Sequence, residues 1–215
     1  MEIKQNNLIS SLKLQPLIVV NRLDFDFFNI PYKRDQLLLN INKLFSCGVK
    51  HIEIGWDSNP DWINLINQIK NNFKDINIGI ASVNSVQALE SIISLNLNYS
   101  MSPFFNKEIH IKAKEYNQLL IPGISNIENY KEAINLGYKI IKIFPASKLG
   151  INFLNNLKDF KEIDIFFIGA GGIKTREIKK LLKDGYNALV IGRELPNQIP
   201  DQNLQIWLKN FQQGS

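Results

Sequence analysis

A small (β/α)8 barrel is the fold this sequence predicts, with a doubly wound open sheet as the alternative. Three observations point there: eight short runs rich in Ile and Val, helical stripes between them, and polar or glycine residues collecting just past one end of the runs. Apolar runs of this length, bounded by turn residues, read as buried strands.

The first run, LIVV (17–20), follows a lead-in before residue 16. The segment DFDFFNIPYKRD (24–35) is the longest ambiguous connection, its aromatics suited to covering the barrel or meeting another subunit. After Gly48 comes HIEI (51–54), then a helix striped by Trp62, Leu65, Ile66, Ile69 and Phe73, then INIGIA (76–81). Val86, Leu89, Ile92 and Ile93 stripe the next helix, before NYSM (98–101) and LLIP (119–122). KIIKIF (139–144), IFFIGA (165–170) and ALVIG (188–192) complete the set. Gly48, Gly137 and Gly185 each fall just past a helix, where a left-handed residue caps it. With no linker or low-complexity tract, residues 1–215 read as a single barrel domain.

Composition narrows the function classes. The chain of 215 residues is 45% hydrophobic and 21% charged, the balance of a soluble globule. Its formal charge of +5 favours anionic partners, but the lysines are scattered and no basic run interleaved with aromatics argues for nucleic acid. No apolar run reaches a membrane span and the opening MEIKQNNLISSLKL lacks a secretory core, so a cytoplasmic protein is expected. The single cysteine, Cys47, suits a reducing compartment. His51 and His110 have no second ligand at metal spacing, so neither a metal nor another cofactor is expected.

Active groups of such barrels sit at the carboxyl ends of the strands. Arg22 follows the first run, Glu53 and Asp57 fall at or beyond the second, Ser82 follows the third, Ser102 and Pro103 the fourth, and Gly171 and Gly172 the seventh. Lys142 lies within a run that otherwise reads as wholly buried. Its stem could snorkel to water or a carboxylate, or burial could depress its pKa and leave a neutral nucleophile for a ketone. Strand parity puts Ile140, Lys142 and Phe144 on one face, and Glu53 on one face with His51. Lys142 and Glu53 then converge inside the barrel, as a buried ion pair or as a catalytic pair.

The local wording is more specific. KIFPA (142–146), IEI around Glu53, IPGIS (121–125), SP (102–103) and GGI (171–173) resemble, in order and spacing, the 2-keto-3-deoxy-6-phosphogluconate aldolase family over roughly residues 16–195. The resemblance implies a class I aldolase, homotrimeric, metal-independent and acting on a small 2-keto acid. Lys142 would be the Schiff-base lysine, Glu53 its proton shuttle, and Phe144 would keep the site dry. Gly171 and Gly172, with the helix begun by IKTREIKKLL, would meet a phosphate, joined by Gly192 and Arg193. GAGGI also reads as a tight turn chosen for backbone freedom.

Departures from the family pattern bear on the substrate. An arginine common four residues after the glutamate is Asp57 here, and a carboxylate would repel the substrate's own. A branch resembling 2-keto-3-deoxy-6-phosphogalactonate aldolases instead has an arginine after its first strand, matched by Arg22 in PLIVVNR; SNPDW (58–62) also resembles that branch. Ser82 keeps the hydroxyl of a G-T-V run, whereas Ala170 loses a threonine and Arg193 replaces a serine. The implied reaction cleaves a phosphorylated 2-keto-3-deoxy sugar acid to pyruvate and glyceraldehyde 3-phosphate, or 4-hydroxy-2-oxoglutarate to pyruvate and glyoxylate. Two rivals are a thiamine-phosphate-synthase-like transferase, which needs an acidic metal cluster, and a phosphate-binding barrel without turnover, which would form an imine with pyruvate but not complete an aldol cycle.

Overall fold

The computed structural model describes residues 1–160, 164–192 and 200–213. Every strand pairing in it is parallel. The strands are β1 (Leu17–Asn21), β2 (His51–Gly55), β3 (Asn77–Ala81), β4 (Tyr99–Met101), β5 (Leu120–Ile121), β6 (Gly123–Ile124), β7 (Ile140–Ile143), β8 (Phe166–Ala170) and β9 (Ala188–Ile191). Their order around the sheet is β5-β4-β3-β2-β1-β9-β8-β7-β6. The two ends of that order are halves of one segment, interrupted at Pro122, which has no N–H to give a ladder. Counted as one, they make eight strand positions, and the sheet closes into the expected (β/α)8 barrel.

Helices separate the strands: α1 (Glu2–Leu14), α2 (Pro31–Ser46), α3 (Trp62–Asn72), α4 (Val86–Ile93), α5 (Lys107–Glu115), α6 (Ile127–Asn135), α7 (Ala146–Lys158), α8 (Ile178–Asp184) and α9 (Gln202–Gln213). Their starts follow side-chain chemistry. Ser85, Asn106 and Asn126 accept hydrogen bonds from the backbone N–H groups of Ala88, Ile109 and Asn129 at 3.1, 3.2 and 2.8 Å. Gly48, Gly137 and Gly185 take the left-handed conformation expected of caps, at φ 91°, 82° and 116°. The ambiguous 24–35 segment resolves into a 3-10 turn, Phe27–Asn29, and the first turn of α2, held by Lys33 against Asp24 at 2.7 Å and against Asp26.

The lead-in is the helix α1, which packs at the amino end of the strands. Gln5 donates to the Gly137 carbonyl at 3.1 Å and accepts from the Lys139 N–H at 2.7 Å. Gln15 likewise joins the Gly48 carbonyl and the Lys50 N–H at 2.8 and 2.7 Å. His51, on the same strand as Glu53, meets α1 through Ser11 at 2.7 Å. It therefore belongs to the floor of the barrel, and burial lowers its pKa to about 4.

Inside the barrel, Glu53 is in register with Gly79, and Gly79 with Tyr99. Neighbours in register point the same way, so the missing side chain at Gly79 leaves room for the Tyr99 ring. The interruption at Pro122 is tighter still. A Cβ at Gly123 would stand 2.5 Å from the Pro103 carbonyl oxygen and 2.6 Å from that of Ser102, both backbone atoms. Gly123→Ala is expected to cost about 1–3 kcal/mol and to lower Tm by about 2–4 °C for each kcal/mol, measured by thermal denaturation.

Candidate active site

The carboxyl ends of the strands open onto a cavity of about 420 Å³. It is lined by Val20 of β1 and Arg22 just after it, Glu53 on β2, Ala81 at the end of β3 and Ser82 after it, and Pro103 after β4. On the other side stand Lys142 of β7 and Phe144 just after it, Ser147 and Lys148 of α7, Ala170 at the end of β8 with the Gly171–Gly172 turn, and Gly192 after β9. Most residues singled out in the sequence thus meet in one place, and Arg193, Ser102 and Asp57 are exceptions. Arg193 lies outside the described residues. Ser102 does not line the cavity.

Lys142 is 6% exposed and Glu53 2% exposed. Burial lowers the lysine amine to about 8; the Glu53 charge opposes that shift and the Arg22 charge adds to it. Burial also raises the Glu53 carboxyl to about 7, against the lowering fields of Lys142 and Arg22. One Glu53 oxygen, Oε1, has no hydrogen-bond partner among the described residues, and so remains available to a substrate hydroxyl or a water. The ammonium of Lys142 stands 5.3 Å from the centre of the Phe144 ring, within reach of the ring's negative face. A weakly basic amine and a weakly acidic carboxyl facing one cavity can exchange protons with a bound molecule near neutral pH.

Other lining residues shape the walls. Ser82 has φ 66°, a left-handed conformation that a serine adopts only at some cost in energy, and its residue faces the cavity. Gly171 and Gly172 have φ 91° and 72°. A Cβ on Gly171 would press within 2.8 Å of the Phe144 ring, and one on Gly172 would run into Ser147. Gly192 passes against the backbone of Val20, where a Cβ would lie 2.7 Å from the carbonyl oxygen. The helix expected to start directly at the glycine pair begins later: a 3-10 turn, Thr175–Glu177, precedes α8, and Glu177 caps the Lys174 N–H at 2.8 Å.

Ser102 instead braces the wall from behind. Its hydroxyl accepts from the Gly123 N–H at 3.2 Å and lies 3.3 Å from the Ile121 carbonyl and 3.2 Å from His110 Nε2. His110 Nδ1 is 2.9 Å from the Tyr138 hydroxyl. One proton assignment satisfies every group: Tyr138 donates to Nδ1, Nε2–H donates to Ser102, and Ser102 donates to Ile121. Burial, aided by the charge of Lys142, keeps His110 neutral, its pKa lowered to about 3. Asp57 also stays off the cavity lining; its carboxylate accepts from the Asn59 N–H at 2.8 Å, an Asx turn that shapes the loop after β2. Sequence reading did not single out Ser147 and Lys148, although their place directly after KIFPA was a signal that they stand at the mouth. Among the described residues no group of three His, Cys, Asp or Glu side chains is arranged to hold a metal, and no helix is long and apolar enough to cross a membrane.

A lysine and a glutamate inside the carboxyl end of a (β/α)8 barrel fit the class of the aldolases, which are lyases. The family model described as KDPG and KHG aldolase matches residues 11–205, and the chain belongs to that family of enzymes. Among curated proteins, 2-dehydro-3-deoxy-6-phosphogalactonate aldolase of Escherichia coli is 23% identical over 162 residues, 75% of this chain and 78% of the relative. Among solved structures, the 2-keto-3-deoxy-6-phosphogluconate aldolase of Zymomonas mobilis with 3-phosphoglycerate superposes with a TM-score of 0.78 at 18% identity, covering 96% of this chain and 95% of that one. KDPG aldolase of Legionella pneumophila, with pyruvate captured as a covalent carbinolamine, gives 0.73 at 20% identity, covering 94% and 92%.

Proposed function

We propose that this chain is a class I aldolase that uses Lys142 as its Schiff-base nucleophile. Its reaction is the reversible cleavage of a 2-keto-3-deoxy-6-phospho sugar acid to pyruvate and glyceraldehyde 3-phosphate, with 4-hydroxy-2-oxoglutarate cleavage to pyruvate and glyoxylate as the close variant. The observation that carries this reading is the buried Lys142 beside Glu53 in the cavity, its amine made less basic by burial.

The free amine of Lys142 attacks the C2 ketone. Glu53 passes protons as the carbinolamine loses water, leaving an iminium. With Arg22 holding the C1 carboxylate and Ser82 and Pro103 bounding the chain, the Glu53 carboxylate takes the C4 hydroxyl proton. The C3–C4 bond breaks, its electron pair flows into the iminium, and the aldehyde departs, leaving a pyruvate enamine. Protonation at C3 and addition of water release pyruvate and restore the amine. Phe144 and the surrounding apolar residues limit water at the reacting carbon. Gly171, Gly172, Gly192 and Arg193 receive the phosphate. The reading includes a homotrimer in the cytoplasm, supported by family resemblance and by the free thiol of Cys47.

Incubation with pyruvate and borohydride, followed by peptide mass mapping, tests the proposal. A reduced pyruvate adduct on Lys142 is expected. Folded protein that gives no adduct on any lysine would return Lys142 to a structural role.

A further inference from the structure

We propose that Lys148 is a specificity residue of this site, reading a phosphate monoester at the end of the substrate remote from its carboxylate, with Ser147 beside it. The inference rests on the aldolase reading above and adds to it a side-chain contact that selects the substrate.

Among the described residues three cations line the cavity, Arg22, Lys142 and Lys148, against one carboxylate, Glu53. They do not stand together. Arg22 follows β1, beside β2, and its field reaches both Glu53 and Lys142. A 2-keto acid carries its carboxylate on the carbon next to the ketone, so the cation close to the catalytic pair is the one matched to that end. Lys148, in the first turn of the helix after β7, stands across the mouth, three strand positions from β1, with β9 and β8 between them.

Contacts fix that side of the mouth to the glycine turn. The Ser147 N–H donates to the Gly171 carbonyl at 3.2 Å, and the Ser147 side chain fills the space a Cβ on Gly172 would need. Lys148 is the next residue and is exposed. Neither the Ser147 hydroxyl nor the Lys148 ammonium makes a hydrogen bond or ion pair among the described residues. A hydroxyl, a mobile ammonium and a turn whose glycines let a ligand approach the backbone form a suitable set for an oxyanion with three acceptor oxygens. The same arrangement accounts for the alanine at position 170: a side-chain hydroxyl absent from that turn is supplied across it by Ser147. A phosphate monoester carries more charge than a carboxylate, so the second cation favours the phosphorylated substrate over 4-hydroxy-2-oxoglutarate.

The test compares the full chain with Lys148→Met, which keeps the stem and removes the charge, and with Lys148→Arg. Cleavage is measured on 2-keto-3-deoxy-6-phosphogluconate, its unphosphorylated parent and 4-hydroxy-2-oxoglutarate. For Lys148→Met, kcat/KM on the phosphorylated acid is expected to fall about ten- to a hundredfold, mainly through KM, the size of one charged hydrogen bond. The other two substrates should change less than about twofold. Lys148→Arg should recover most of the loss. An equal loss on all three substrates, or none on the phosphorylated one, overturns the proposal; a loss confined to 4-hydroxy-2-oxoglutarate assigns Lys148 to a carboxylate and overturns it too. Pyruvate trapping separates this from the parent reading. If Lys142 traps pyruvate but Lys148→Met loses no selectivity, only the role of Lys148 fails. If no adduct forms, the aldolase reading fails, and Lys148 is still tested by the stabilisation that inorganic phosphate gives to the parent protein and not to Lys148→Met.

Discussion

Lys142→Met is expected to eliminate the trapped pyruvate adduct and to reduce aldol cleavage by on the order of 10⁴-fold or more, the scale of losing a covalent nucleophile. Methionine keeps much of the length of the lysine stem, so the cavity wall stays filled. The variant should nonetheless change how stability depends on pH. Glu53 loses the lowering field of Lys142, leaving that of Arg22, and its carboxyl rises further above its parent value of about 7. A carboxyl whose folded pKa lies above its unfolded value, here 4.5, contributes stability that is complete below the unfolded value and disappears as pH rises through the folded one. In the variant that loss extends to higher pH. At pH 6 Glu53 is neutral beside an apolar neighbour, and the protein should be at least as stable as its parent. By pH 9 an ionised Glu53 is buried without its lysine, and Tm should fall below the parent's. Retained aldol activity in folded Lys142→Met would sink the mechanism.

Glu53→Gln should separate imine formation from bond cleavage. An amide cannot take the C4 hydroxyl proton, so cleavage should slow by about 10²- to 10⁴-fold, the usual worth of a positioned acid or base. Pyruvate should still add to Lys142. The carboxylate raises the lysine's pKa, opposing burial, so its removal lets that pKa fall further below its parent value of about 8. More of the amine is then free at a given pH, and the midpoint of adduct yield against pH should move down, even though loss of the proton shuttle reduces the yield. A midpoint that stays in place or moves up would show that Glu53 does not electrostatically govern Lys142.

Much of this site was legible because strands carry a period of two. Parity alone set Lys142 and Glu53 inside the barrel, and the stripes between runs supplied the helices. Parity does not say at which end of a strand an inward residue lies, so His51, which shares Glu53's face, gave no sign that it belongs to the floor with Ser11. Nor does order along the chain say which way a side chain turns at a strand end. Ser102 directly precedes the wall residue Pro103, yet its hydroxyl serves Gly123 and His110. Ser147 and Lys148 lie in the first turn of α7, which is broken at Gly150 (φ 70°, ψ 178°), a kink that the helical spacing of Ile151, Leu154 and Leu157 beyond it does not announce. The lead-in helix was the least legible element, because its buried face includes Gln5, a residue type that composition assigns to the surface.

That helix also joins the two halves of the barrel. The amino group of Met1 meets Asn117 at 2.5 Å, Glu2 meets Lys139 at 2.6 Å, and Gln5 spans to Gly137 and Lys139, contacts separated by 116 to 137 positions along the chain. Closing loops of that length carries an entropy cost that only later contacts repay. Until the approach to β7 has taken its place, Gln5 lacks the partners it has at Gly137 and Lys139. The floor therefore ties the first helix to both halves of the barrel, through Ser11 and Gln15 to the start of β2 and through Gln5 to the approach to β7.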